Sequence, residues 1–128
     1  MTLLDTHTFV WLASEQKELS AKAAVAIEKD LDSLFISVVT AWEIALLYKK
    51  GRLHLALPPP EFVERAIRHH GVQELPLTRE VSMASVSLPD IHNDPFDRIL
   101  VAEALQHRCR LVTKDATIPL YPGVVTIW

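Results

Sequence analysis

An α/β domain, in which helices cover both faces of a parallel sheet, is the fold class this sequence predicts. Short apolar runs alternate along the chain with segments of helical periodicity, the pattern of βα units. Several of those runs, Leu34-Phe35-Ile36 among them, lack the alternation of apolar and polar residues that a half-exposed strand shows, so their sheet is buried on both sides. With 128 residues, 49% of them apolar, the chain can build one core without disulfide or metal staples, and a single domain over 1–128 is expected.

Thr2-Leu3-Leu4 forms a first strand closed by Asp5, and Phe9–Ala13 supplies the apolar face of a short helix opened by Thr6 or Thr8. Ser20 caps a helix over Ala21–Lys29, and Leu34-Phe35-Ile36 is the second strand. A helix follows from Ser37 through Leu47 and is halted by Lys49-Lys50-Gly51, residues that suit a helix C-terminus. Pro58-Pro59-Pro60 reads as a stiff spacer ahead of an amphipathic helix over Glu61–His70, which ends at Gly71. Val72–Leu75 is a weak third strand, and Thr78 caps a short helix through Ser85. Asp94-Pro95 opens a longer helix carrying Ile99, Leu100, Ala102, Ala104 and Leu105, and Leu111-Val112-Thr113 and Val124–Ile127 complete the strands.

Cys109 is the only cysteine, so no disulfide forms within the chain and a reducing, cytoplasmic setting is expected. Neither a secretion signal nor an apolar run long enough to span a bilayer is present, so a soluble protein with no membrane association is expected. The net charge of −3 argues against broad nucleic-acid binding, which depends on neutralising phosphates, unless the acids are gathered in one metal-binding spot.

The acids are placed for that. Ligand sites of open α/β sheets lie beyond the carboxyl ends of the strands. Asp5 ends the first strand, Asp115 lies just past the fourth, Glu43 sits in the second turn of the helix after the second strand, and Asp97 is in the first turn of the helix leading into the fourth. Four carboxylates from four distant segments then meet on one rim. Their mutual repulsion calls for a hard divalent cation, Mg²⁺ or Mn²⁺, which takes oxygen ligands and leaves positions for phosphate oxygens. The scattered histidines form no zinc-ligand spacing.

Each acid also has a plainer reading. Asp94 before Pro95 is a helix cap, Asp97 could complete a capping box, Asp5 could be a turn residue or helix cap, and Asp115 could be a turn residue. Glu43 forms a capping box with Thr40 if the helix starts there; if it starts at Ser37, Glu43 lies a turn further in, where an unpaired acid between Trp42 and Ile44 is costly to bury.

Four blocks carry a family resemblance: Leu3-Leu4-Asp5-Thr6-His7, Ile36 through Ala45 with its Trp42-Glu43 pair, His92-Asn93-Asp94-Pro95-Phe96-Asp97-Arg98, and Val112-Thr113-Lys114-Asp115. In order and spacing they resemble the signature blocks of PIN-domain ribonucleases of the VapC toxin type. The resemblance implies a three-layer α/β/α sandwich and a Mg²⁺- or Mn²⁺-dependent endoribonuclease. It implies metal-pocket roles for Asp5, Glu43, Asp97 and Asp115, with Thr6, Asp94 and Thr113 supporting them. A homodimer and a small antitoxin that blocks the site are the implied partners, beside the RNA substrate.

Lys49, Lys50 and Arg52 cluster beyond the helix bearing Glu43 and are candidates for the RNA backbone, although basic residues also suit a solvated helix end. Arg98 either joins them or holds a neighbouring acid in place. A phosphoaspartyl phosphatase is disfavoured, because His7 stands where its motif needs a second aspartate. The remaining alternative is a catalytically silent fold that binds RNA or its antitoxin.

Overall fold

Five short strands, β1 (Thr2–Leu4), β2 (Leu34–Ser37), β3 (Gln73–Leu75), β4 (Arg110–Val112) and β5 (Thr126–Ile127), pair in the order β3-β2-β1-β4-β5, every pair parallel. This is a computed structural model, and it describes residues 1–15 and 17–128. The connecting helices are α1 (Thr6–Ala13), α2 (Ala21–Lys29), α3 (Val38–Lys49), α4 (Pro59–His70), α5 (Arg79–Ser87) and α6 (Pro95–His107).

Pleating explains why the strands are apolar throughout. In register, Leu3 lies beside Phe35 and Leu111, and Leu4 beside Val112. Successive residues point to opposite faces. Leu4, Leu34, Ile36 and Val112 therefore join one core with Phe9, Ile27, Ile44 and Phe62 of α1 to α4. Leu3 and Leu111 join the other with Leu100, Val101 and Tyr121, on the face covered by α6 with α5 packed against it. The result is the expected three-layer α/β/α sandwich.

Starting from β1, the chain steps outward through β2 and β3, then returns to the other side of β1 for β4 and β5. The strand order thus reverses between β1 and β4, and the crevice beyond their carboxyl ends is where such a sheet binds ligands.

Some boundaries differ from the sequence reading. Pro59 and Pro60 are the first turn of α4 rather than spacer, because a first-turn residue has no intrahelical use for the N–H that proline lacks. Asp5 caps α1 in place of Thr6 or Thr8, as its plainer reading allowed, and Ser37, one of the two starts open in the sequence, caps α3. Only Thr126 and Ile127 of the last apolar run pair with β4. Gly71 ends α4 with φ 63°, the left-handed conformation that glycine adopts without strain. Among the described residues, no helix is long and apolar enough to cross a membrane.

Candidate functional site

The four predicted acids come together. Asp5, Glu43, Asp97 and Asp115 line one cavity of about 460 Å³ at the carboxyl end of the sheet, joined there by Thr6 and Asp94. A larger hollow of about 810 Å³, against α4, has no carboxylate in its lining, so the chemistry belongs to the smaller one.

Asp5 is fixed by the sheet. Its N–H donates to the Val112 carbonyl of β4 at 3.1 Å, and its Oδ1 accepts the Thr8 N–H at 2.8 Å as the cap of α1. Glu43 projects from the second turn of α3; burial raises its carboxyl, the nearby Thr6 hydroxyl opposes the rise, and the charges of Asp94 and Asp5 add to it. Asp97 is pushed up to about 7, first by burial and then by the charges of Asp94 and Glu43. Burial raises Asp115 as well. Its Oδ1, however, accepts the N–H groups of Thr117 (2.7 Å) and Ile118 (3.1 Å), and with the His92 contact these hold it below the usual carboxylate range.

Asp94 is the cap its sequence suggests: Oδ1 accepts the Phe96 N–H at 2.9 Å. Thr113 is outside the lining of the acid cavity, and its hydroxyl accepts the Asp115 N–H at 3.1 Å, setting the turn that carries Asp115. A half-buried, acid-crowded pocket at a strand-order reversal, fed by four separate segments, offers the oxygen donors that suit a hard cation.

Residues 2–123 match the model of the PIN domain family. The chain belongs to that family. Over 98% of this chain and 97% of its own length, Ribonuclease VapC22 of Mycobacterium tuberculosis is 35% identical to this PIN domain. Two solved structures share its fold: VapBC2 from Rickettsia felis bound to a DNA fragment from its promoter (TM-score 0.71, 11% identity, 98% and 96% of the two chains covered), and a toxin–antitoxin complex from Klebsiella pneumoniae (TM-score 0.67, 24% identity, 98% and 97% covered).

The donors of this PIN domain fit a divalent metal ion. Carboxylate oxygens dominate the pocket, and a cation would return the Asp97 carboxyl to its charged form. Ligand-type atoms of His92, Asp97 and Asp115 already lie within 4.8 Å of one another.

His7, Trp11 and Lys114 of the pocket lining, and His92 beside it, were given no site role in the sequence. His92 places Nε2 3.1 Å from Asp97 Oδ2 and 3.2 Å from Asp115 Oδ2; it opens the third resemblance block, two residues before the cap of α6, but was assigned no role there. Lys114 lines the pocket and holds its ammonium 5.8 Å from the centre of the Trp11 ring, where a cation and an aromatic face attract.

The basic candidates divide. Lys49, Lys50 and Arg52 are exposed at the far end of α3, outside the lining of the acid pocket. Arg98 turns inward. Its Nε and two terminal nitrogens donate to the carbonyls of Ser85, Val86, Leu88, Pro89 and His92 and to the Tyr121 hydroxyl, which commits every guanidinium N–H to the protein itself. Arg98 is thus an anchor for the α5–α6 connection, and the expectation that it contacts RNA or pairs with an acid is replaced by that role.

Proposed function

We propose that this PIN domain, over residues 1–128, is a divalent-metal-dependent endoribonuclease and the toxin of a toxin–antitoxin pair, working in the cytoplasm. The observation that carries the reading is the meeting of Asp5, Glu43, Asp97 and Asp115 in one pocket, supported by the likeness to Ribonuclease VapC22.

Asp5 and Asp97 would hold Mg²⁺ or Mn²⁺ directly, while Glu43 and Asp115 would bind it or orient the attacking water. When bound, the ion acidifies water and offsets charge building up on the phosphate. Glu43, already raised by burial, suits the acceptance of a proton from that water. In-line attack on phosphorus breaks the bond to the 3′ oxygen and leaves a 5′-phosphate and a 3′-hydroxyl.

Lys49, Lys50 and Arg52 contact the RNA backbone, and Lys114 adds a cation at the mouth of the pocket. Trp42, Met83 and Val86 are exposed apolar side chains on α3 and α5 that suit a homodimer. The solved neighbours that are toxin–antitoxin complexes support an antitoxin as a further partner.

The test is cleavage of total cellular RNA by antitoxin-free protein with Mg²⁺, Mn²⁺ or chelator, beside Asp5→Asn. Discrete, metal-dependent cuts reduced at least about hundredfold by the substitution are expected. Intact RNA that is nevertheless bound would make the domain an RNA- or antitoxin-binding module.

A further inference from the structure

We infer that His92 is a positioning residue, a neutral hydrogen-bond donor clamped between Asp97 and Asp115, and not a third metal ligand. The inference rests on the reading of those two aspartates as metal-binding acids. It begins with the other ring nitrogen. The backbone N–H of Asp94 donates to His92 Nδ1 at 3.0 Å, so Nδ1 is an acceptor and the single proton of the neutral ring is on Nε2. Nε2 faces only acceptors, Asp97 Oδ2 at 3.1 Å and Asp115 Oδ2 at 3.2 Å. One N–H shared by two carboxylates fits those distances.

Metal ligation would need the Nε2 lone pair. The proton would then move to Nδ1 and point at the Asp94 N–H, setting two donors against each other at 3.0 Å. The backbone of His92 is also held on both sides: its N–H donates to the Tyr121 hydroxyl at 2.9 Å, and its carbonyl accepts from Arg98 at 3.2 Å. Tyr121 is buried in the second core, so the ring is built into the fold and has little freedom to swing.

Two consequences bear on the site. By taking the Asp94 N–H, His92 does what the Asp97 carboxylate would do in a capping box, and so keeps Asp97 for the pocket. By bridging Asp97 on α6 and Asp115 after β4, it fixes their separation with a polar N–H while leaving both negative charges for a cation, which a lysine in its place would cancel.

Long-range ¹⁵N–¹H NMR of the whole protein reads the tautomer directly, without RNA. The expected result is a His92 ring protonated at Nε2 and bare at Nδ1, both metal-free and saturated with Mg²⁺. A ring that carries its proton on Nδ1 in either state overturns the inference. Calorimetric titration with Mg²⁺ of two folded variants gives a second reading. The Gln side-chain nitrogen reaches the place of Nε2, whereas Asn stops at the place of Nδ1. His92→Asn is expected to weaken Mg²⁺ binding about 10- to 100-fold and His92→Gln to recover most of it; equal losses in both would count against the clamp. Because neither measurement uses RNA, failure of the clamp is distinct from failure of the nuclease reading.

Discussion

At the scale of single residues, the proposed metal role of Asp97 sets protons and metal in competition there. Its carboxyl is pushed up to about 7 by burial and by Asp94 and Glu43, so below that pH a cation must displace a proton. The affinity for Mg²⁺ should rise about tenfold per pH unit up to about pH 7 and then level off. Titration calorimetry in buffers of different ionisation enthalpy should show proton release on the acid side of that point; affinity that ignores pH would remove Asp97 from the metal. Glu103 is a second raised carboxyl, fully buried in α6 and pushed up to about 7 by burial against the opposing bond from the Ser37 hydroxyl at 2.9 Å. Its unfolded value, 4.5, is lower, so the folded state holds the extra proton and stability falls as pH rises from 4.5 to about 7. The loss should approach about 3 kcal/mol. Glu103→Gln should be free of this loss, and the difference between the two melting curves across that range isolates Glu103 from Asp97. Asp5, Glu43, Asp97 and Asp115 were readable in the sequence because each follows a strand end or opens a helix on the same rim. His92 was not, since its distant partner Asp115 is brought to it only by the turn after β4.

At the scale of elements, Arg98 of α6 closes the end of α5. The Ser85 and Val86 carbonyls have no partner one turn further along their own helix, and the guanidinium supplies one. Arg98→Ala should cost about 1 to 3 kcal/mol by chemical denaturation, since it leaves several carbonyls without a donor; a loss confined to RNA affinity, with stability intact, would return Arg98 to the RNA surface. The sequence never showed this role, because an arginine beside an acid motif looks alike whether it faces solvent or carbonyls. All five strands and six helices were foreseen from apolar runs and caps. The ends were harder to place: Pro59 and Pro60 carry the same local preference in a spacer and in a first helical turn, and only the packing of Phe62 and Val63 against the sheet decides between them.

At the scale of the whole molecule, a chain with 13 Lys and Arg against 16 Asp and Glu has no excess of cations to offer the RNA of the proposed reading. If Lys49 and Lys50 each meet one phosphate, replacing both with alanine should reduce the slope of log affinity against log salt by about 1.4, taking roughly 0.7 per contact for single strands. An unchanged slope would place the RNA elsewhere. The parallel order β3-β2-β1-β4-β5 is what gathers the acids, and it was legible only as a class: the sequence indicates a buried parallel sheet, while the neighbour of each strand is set by crossovers that leave no local mark. Asp5 stands at the end of the first strand made, yet its N–H is held by Val112, and the Thr8 hydroxyl reaches that same carbonyl from 104 positions away. During translation the early acids therefore emerge from the ribosome with no β4 to dock against. The acid pocket is closed only once β4 and the turn that carries Asp115 have been made, so the first acid of the chain meets the last one late in synthesis.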